Sequence, residues 1–279
     1  MKDLGNKSVL LTGAASGIGR ATAIAFAREG SNPLILNDIN AEGLEKTAGE
    51  INGLGCTALT FPADVTDPVA VKEMVDNTIE RVGRIDVLVN VAGTGVMCPF
   101  EKLDLKDWKF TIDVDLWGVI HTVHAVFPHM AERRSGHIVN ISSISGLWPD
   151  MMYIAPYITA KFGVVGLSEA LLVEGSLYGI DVTCICPGIV RTPVWETAQI
   201  KGFREDIRDV ARYLSRLGEN AEDTARSIIN AVKKNKFLVV TTNFAKYDYF
   251  TRKHFSSIVT RLDRVWPRWV DKAASRYRI

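Results

Sequence analysis

The chain has 279 residues, 47% hydrophobic and 23% charged, which is enough for one well-buried α/β domain and cramped for two. A formal net charge of +1 gives no electrostatic reason to expect nucleic acid as a partner. The four cysteines, Cys56, Cys98, Cys184 and Cys186, include no C-x-x-C pair, so buried free thiols in a reducing compartment are expected and a metal site is not. The stretch Met1-Lys2-Asp3-Leu4-Gly5-Asn6 has no apolar leader core and no apolar run reaches membrane-spanning length, which points to a cytoplasmic protein.

Ser8-Val9-Leu10-Leu11 reads as a short buried strand. It stops at Thr12-Gly13-Ala14-Ala15-Ser16-Gly17-Ile18-Gly19, and a small-residue helix follows from Arg20 to Glu29. Glycines in a strand-to-helix turn let the backbone approach a pyrophosphate, whose charge the helix N-terminus favours. Pro33-Leu34-Ile35-Leu36-Asn37-Asp38 is a second strand, and its terminal acid lies about 20 residues past the turn, where it would accept hydrogen bonds from an adenosine ribose. Asp38 would also repel a 2′-phosphate. Arg20 is the nearest cation that could counter this, so NAD is expected over NADP; a helix N-cap is the other use for such an acid.

The alternation continues with helix 41–53, strand 56–61, helix 67–82 and strand 85–90. Asp64, after the third strand, is placed to meet the adenine amino group. Asn90-Val91-Ala92-Gly93 ends the fourth strand and leaves room for a cofactor. A long helix is expected from about Lys106 to Arg133, bent near Pro128. Then come strand His137–Ser142, helix 157–178, strand 180–186, a Pro187-Gly188 turn, a polar segment from about 192 to 216, helix 219–234 and strand 237–241. The pattern predicts a Rossmann-type, doubly wound parallel sheet of about seven strands with helices on both faces. The glycine turn, Asp38, Asp64, Asn90 and Ser143 all fall beyond the carboxyl ends of strands, where such sheets bind ligands.

Within helix 157–178, Tyr157 and Lys161 are i and i+4 and share a face. An ammonium about 5 Å from a phenol, at an effective dielectric of about 20, favours the phenolate by about 3 kcal/mol. A phenol made acidic in this way can take a proton from an alcohol or return one to a ketone.

These ordered motifs make residues 5–242 closely resemble the short-chain dehydrogenase/reductase family. Thr12-Gly13-x-x-x-Gly17-Ile18-Gly19 matches its cofactor turn, Asn90-Val91-Ala92-Gly93 its N-x-A-G element, with Val91 where a second Asn is common. Ile138-Val139-Asn140-Ile141-Ser142-Ser143 matches its serine strand, Tyr157-x-x-x-Lys161 its active-site helix, and Pro187-Gly188-Ile189-Val190-Arg191-Thr192 the segment beside the nicotinamide. The resemblance implies that Tyr157 is the acid/base, that Lys161 lowers its pKa and holds the nicotinamide ribose, and that Ser143 hydrogen-bonds the substrate oxygen. Ser142 is the alternative serine. Ser143 lies one residue farther from the tyrosine than expected, which suggests an insertion in the intervening loop. The resemblance further implies cofactor contacts from Gly13, Ser16, Gly17, Ile18 and Gly19, from Asp38, Asp64 and Val65, from Asn90, Ala92 and Gly93, and from Pro187, Gly188, Val190 and Thr192. Where the family usually has Asn-Leu-x-Gly, supporting a water-linked proton relay, this chain has Asp115-Leu116-Trp117-Gly118. Asp115 can accept but not donate when ionised, so a working relay with a shifted pH optimum is expected.

Trp148, Met152 and Tyr153 in the loop before Tyr157, with Val96, Met97 and Trp195, point to an apolar substrate, a secondary alcohol or ketone of steroid, terpenoid, aryl or fatty type. Of these, Trp148, Met152 and Trp195 join Ser143 and Tyr157 as substrate-binding residues; packing of a lid or subunit contact is their other use. Residues 192–216 are expected to form a mobile lid. Residues 243–279, outside the family core, are rich in aromatic and basic side chains, including Phe244, Tyr247, Tyr249, Phe250, Phe255, Trp266, Trp269, Arg261, Arg264, Arg268 and Arg276. Ile258, Leu262, Val265 and Trp269 follow helical spacing, interrupted at Pro267. Three uses are open for this extension: an arm packing on its own or a partner subunit, a peripheral membrane contact, or a wall of the substrate pocket. The function expected is NAD-dependent interconversion of a hydrophobic alcohol and its ketone by a homotetramer or homodimer. The rivals are an NADPH-linked carbonyl reductase and a cofactor-binding regulator with weak turnover.

Overall fold

The computed structural model describes residues 1–254, save the side chain of Phe244, and residues 265–279. The first strand, β1 (Val9–Thr12), is apolar and buried throughout, as a strand covered on both faces must be. It leads into α1 (Gly17–Arg28), β2 (Leu34–Asp38) and α2 (Ala41–Gly53). Asn40 caps α2 by accepting from the Gly43 N–H at 3.0 Å, so the N-cap use considered for Asp38 belongs to its neighbour. After β3 (Ala58–Pro62), Asp67 caps α3 (Pro68–Val82) with Pro68 in its first turn, and Gly83 ends it in the left-handed region at φ 82°.

The next strand is β4 (Val87–Asn90), followed by the two-residue β5 (Val96–Met97). The expected single long helix is divided: α4 (Leu105–Ile112) runs through a π-helical turn, Asp113–Trp117, into α5 (Gly118–Arg133). Such turns concentrate at functional sites, and this one carries Asp115. Pro128 lies inside α5. Then follow β6 (Gly136–Ile141), α6 (Ala155–Ser176), β7 (Ile180–Cys186), β8 (Val190–Arg191), α7 (Val194–Thr197), β9 (Gln199–Ile200), α8 (Ile207–Arg216), β10 (Glu219–Asn220), α9 (Ala221–Lys233) and β11 (Leu238–Val240).

Seven strands form one parallel sheet in the order β11-β7-β6-β4-β1-β2-β3. Successive residues face opposite sides. Val9, Leu11, Leu36 and Val89 pack with Phe26 of α1, Leu44 of α2 and Ile228 of α9. Leu10, Ile35, Leu88 and Ile138 pack on the other side with Met74 of α3, Val126 of α5 and Val164 of α6. The strand order reverses direction between β1 and β4, so the cleft beyond their carboxyl ends is the topological switch point. A buried side-chain network secures that edge: Thr122 donates to the Asn90 Oδ1 at 2.6 Å, Asn90 to Asn140 at 2.9 Å, and Asn140 to Ser168 at 3.0 Å.

Beyond the sheet lie α10 (Asn243–His254), α11 (Trp266–Ala274) and a short 3₁₀ turn, Ser275–Tyr277. Pro267 lies in the first turn of α11, as its missing N–H allows. Phe255, Ile258, Arg261, Leu262 and Arg264 lie outside the described residues. Among the described residues one helix, α6, is long and apolar enough to cross a membrane by length and composition. It packs against the sheet through Val164 and Leu171 and carries Tyr157 and Lys161.

His137 on β6 is fully buried. Thr183 spends its proton on the Lys236 carbonyl at 2.9 Å, so its oxygen accepts from the His137 Nε2–H at 2.8 Å and the ring is neutral. Burial pushes the His137 pKa down to about 4, against the pull of Asp181. A depressed histidine contributes stability above its unfolded value of about 6.5 and loses it as pH falls through the folded value. The expected loss on acidification from about pH 7 to about pH 4 is roughly 3 kcal/mol, read as the difference in urea-unfolding stability between wild type and His137→Gln over that range.

Candidate active site

The glycine turn is shaped by close backbone contact. Gly13 has φ +66°, and a Cβ there would stand 2.7 Å from the Ala92 nitrogen; a Cβ on Gly19 would collide with the Gly13 carbonyl. Thr12 fastens the turn to the end of β4 by accepting from the Val91 and Ala92 N–H groups at 3.1 and 3.2 Å. Thr192 lies over the turn, its Cγ2 3.1 Å from where a Gly17 Cβ would be. Asp38 turns one carboxylate oxygen to the Ala15 N–H at 3.1 Å and the other to Asn40 N–H at 3.0 Å. Arg20 pairs with Glu50 at 2.5 Å. A cradle of turn amides beside an acidic side chain fits a dinucleotide: pyrophosphate on the turn, ribose hydroxyls at Asp38.

The candidate catalytic side chains come together where β6, α6 and the π-helical turn converge. Ser142 and Ser143 leave β6 in opposite directions. Ser142 donates to the Lys161 carbonyl at 2.9 Å and is buried against α6. Ser143 instead stands close enough to Tyr157 for its hydroxyl to favour the phenolate, and it accepts from the Ser145 N–H at 3.1 Å. The Lys161 ammonium is 5.4 Å from the Tyr157 ring centre and 3.1 Å from Asp115, with 5% and 0% of those two side chains exposed. Asp115 also accepts from the Thr94 N–H at 2.7 Å. Gly93 covers this pair: a Cβ there would lie 3.5 Å from the Asp115 oxygens and 3.6 Å from the Lys161 nitrogen.

The electrostatics depart from expectation in one respect. Lys161 does favour the Tyr157 phenolate, but burial pushes the phenol the other way and Asp115 adds to it, so the Tyr157 pKa lies above its ordinary value. The one-turn spacing supplies the Lys161 charge, whose field the carboxylate at Asp115 weakens as expected from its place near Lys161, but it does not supply the burial that outweighs both. Burial acts to lower the Lys161 pKa, yet Asp115 and Tyr157 together raise it, so the ammonium is held. Burial raises the Asp115 carboxyl, against the pull of Lys161 and the Thr94 N–H.

The short chain dehydrogenase family model matches residues 7–201. The chain belongs to the short-chain dehydrogenase family. It is 42% identical over 191 residues to the (2S)-[(R)-hydroxy(phenyl)methyl]succinyl-CoA dehydrogenase subunit BbsD of Thauera aromatica, covering 68% of this chain and 76% of that one. It is 39% identical over 251 residues to the oxidoreductase UcpA of Escherichia coli O157:H7, covering 87% and 94%. The crystal structure of levodione reductase superposes with a TM-score of 0.76 at 32% identity, over 85% of this chain and 96% of that one. This short-chain dehydrogenase is therefore an oxidoreductase of the alcohol/ketone type, in a family that binds NAD(P).

Among the dehydrogenase's other sequence-predicted positions, Asp64 is exposed just past β3 and accepts from Thr66 N–H at 2.8 Å. Val65 is buried against Gly118. The Asn90 side chain is committed to the core network, so its main chain alone is left for a ligand. Ser16 caps no N–H of α1 with its side chain, and Ile18 packs on α9 through Ala221 and Ala225. Pro187 accepts from the Ile144 N–H at 2.8 Å, which ties it to the serine turn, and Gly188 packs on Thr242. Val190 is buried. Met152 and Trp195 are half-buried; Trp195 lines a cavity of about 350 Å³ with Thr192, Glu196 and Arg212.

Trp148 is a correction. It is 6% exposed, stacks on Tyr249 of α10 at 5.9 Å and lies under the Arg252 guanidinium at 5.2 Å. A bulky apolar residue between the catalytic serine and tyrosine suggested a substrate contact, but the extension supplied a partner that sequence could not place. Tyr153, with φ +69°, likewise holds the extension: it donates to Asp271 at 2.7 Å, is stacked by Arg278 at 5.4 Å and meets Phe203 edge-on at 5.1 Å. The segment 192–216 is built of α7, β9 and α8, with β9 paired to β5 in parallel. The sequence reading missed Thr94, Ser145 and Asp150. Thr94 acts through a backbone N–H, which carries no residue signature.

Asp115 raises the Tyr157 pKa, so removing its charge lowers it. In Asp115→Asn the acid limb of the pH–rate profile for alcohol oxidation is expected to move to lower pH. The profile of log kcat/KM against pH for wild type and variant checks this, and the opposite displacement would contradict the placement of that carboxylate.

Proposed function

We propose that the protein is an NAD-dependent dehydrogenase that interconverts a hydrophobic secondary alcohol and its ketone. The observation that carries the reading is the convergence of Ser143, Tyr157 and a buried, charged Lys161 beside the dinucleotide cradle. When bound, the dinucleotide supplies the acceptor or donor of the hydride. Ser143, with one acceptor site filled by the Ser145 N–H, keeps its own proton to donate to the substrate oxygen and stabilises charge there. Tyr157 takes the hydroxyl proton during oxidation and returns it during reduction. Lys161 holds the phenolate once formed. Asp115 fixes Lys161 in charge and place, accepting from it without competing as a donor.

Preference for NAD rests on Asp38, whose carboxylate occupies the turn at Ala15, and on Arg20, whose guanidinium is engaged by Glu50. A 2′-phosphate at Asp38 would meet a like charge with its nearest cation already paired. An apolar substrate is supported by Val96, Met97, Met152 and Trp195 near the cleft, the last three half-buried, and by the hydroxy(phenyl)methyl group in the name of the Thauera aromatica relative. A homo-oligomer, dimer or tetramer, is supported by an apolar face on the long helices. Phe162 and Val173 are 44% and 70% exposed on one side of α6 with Gly166 open between them, and Trp117 is 49% exposed nearby in sequence to α5. We read the described parts of the extension, 243–254 and 265–279, as an arm on their own subunit, because Tyr249 and Asp271 are already engaged there; this reading leaves no call for a membrane contact. The free, mostly buried thiols support a cytoplasmic location.

The test is NADH formation on a panel of 1-phenylethanol, cyclohexanol, 2-octanol and a hydroxysteroid. NAD is expected to exceed NADP in kcat/KM by more than about tenfold, and Asp38→Ser to narrow that ratio. Tyr157→Phe is expected to lower kcat at least about a hundredfold; turnover surviving that change, or a preference for NADP, would contradict the reading.

A further inference from the structure

The loop between the catalytic serine and tyrosine holds a carboxylate that the mechanism above does not use. Asp150 is half-buried, and its Oδ1 accepts from the Ser145 hydroxyl at 2.6 Å. Ser145 is buried, 4% exposed, and is the middle residue of the one-turn 3₁₀ element Ile144–Gly146 that directly follows Ser143. Its backbone N–H donates to the Ser143 Oγ at 3.1 Å. A connected path therefore runs from the Asp150 carboxylate through the Ser145 hydroxyl and amide to the Ser143 oxygen, which stands beside Tyr157. The serine turn is anchored on its other side by the Ile144 N–H to the Pro187 carbonyl at 2.8 Å. Among the described residues, the one side-chain acceptor that holds the Ser145 hydroxyl is the Asp150 carboxylate, so the carboxylate sets where that hydroxyl stands.

The hydroxyl stereochemistry gives this path a function. Ser143 has one proton and two acceptor sites. To polarise a substrate oxygen it must present the proton to the cleft, which requires its lone pairs to be satisfied from behind. The Ser145 N–H does that only while the 3₁₀ turn keeps its direction. Were the Ser145 hydroxyl not claimed, the turn would lose that tether and the Ser145 N–H would drift off the Ser143 oxygen. Asp150, by accepting from that hydroxyl, holds the turn in place. Behind it stands α10, with Trp148 stacked between Tyr249 and Arg252, which backs the loop on which Asp150 sits.

We propose that Asp150 is a positioning residue of the dehydrogenase: acting through Ser145, it holds Ser143 in the orientation that donates to the substrate oxygen. The inference rests on Ser143 and Tyr157 acting as assigned above. It makes the extra loop residues before Tyr157 part of the reaction centre's support and assigns Ser145 a role distinct from that of Ser142 and Ser143.

Four variants, Asp150→Ala, Asp150→Asn, Ser145→Ala and the double Ser145→Ala/Asp150→Ala, are assayed with the panel alcohol that wild type turns over fastest, and NADH binding is followed by fluorescence. Asp150→Ala and Ser145→Ala are each expected to lower kcat about tenfold with KM and NADH affinity within about twofold, and the double variant to lose no more than either single one, as members of one unit do. Asp150→Asn, whose amide oxygen still accepts from Ser145, is expected to retain most of the wild-type kcat. Wild-type kcat in Asp150→Ala, multiplied losses in the double variant, or Asp150→Asn as slow as Asp150→Ala would each overturn the proposal. Tyr157→Phe in the same assay separates the two levels: if it is inactive while Asp150→Ala is not, only the positioning role falls; if it is active, the proton shuttle falls first.

Discussion

A buried ion pair governs this active site. Lys161 and Asp115 face each other at 3.1 Å, roofed by Gly93 and almost entirely shielded from water. Two charges in such a place are costly to desolvate, and either alone would be costlier still, by about 3–5 kcal/mol when its partner is removed. The pair therefore requires its surroundings to be in register: the π-helical turn that delivers Asp115, the Thr94 amide that fixes it, and the α6 face that delivers Lys161. Tyr157 then sits in a balance rather than beside a bare cation, with burial and Asp115 raising its pKa and Lys161 lowering it. Such a balance suits a group that must both take and give a proton.

Much of this was legible in the chain. Strands and helices alternate strongly enough that Val9–Thr12, Leu34–Asp38 and Ile180–Cys186 could be read as parallel strands with acids, glycines and hydroxyls at their ends. The Tyr157 and Lys161 spacing is local, a single helical turn, and so survives the step from sequence to structure. What was hidden shares one property: it depends on residues distant in sequence. The π-helical turn at Asp113–Trp117 leaves no mark in composition. Trp148 looked like a cleft residue because its partners, Tyr249 and Arg252, lie in an extension whose return path no periodicity reveals. The raised Tyr157 pKa is hidden for the same reason, since its largest cause is burial, which only the fold supplies.

The extension is attached at two points of one loop. Trp148 receives α10, and Tyr153 receives α11 through Asp271 and Arg278. Tyr153 holds a left-handed backbone conformation at φ +69°, which costs on the order of 1–3 kcal/mol for a side chain of this kind; its carbonyl accepts from the Cys98 N–H at 2.7 Å and its ring is claimed by Phe203. The loop carrying Asp150 is thus braced from outside by the extension, at Tyr249 and Arg252 on one side and at Asp271 and Arg278 on the other.

The backbone bridge between Phe203 and Arg278, together with the Arg204 N–H to the Tyr277 carbonyl at 2.6 Å, joins the segment after β9 to the final residues. These two stretches are fastened to each other as one unit. Displacing either therefore means breaking its bonds to the other, although they stand more than seventy positions apart in the primary structure.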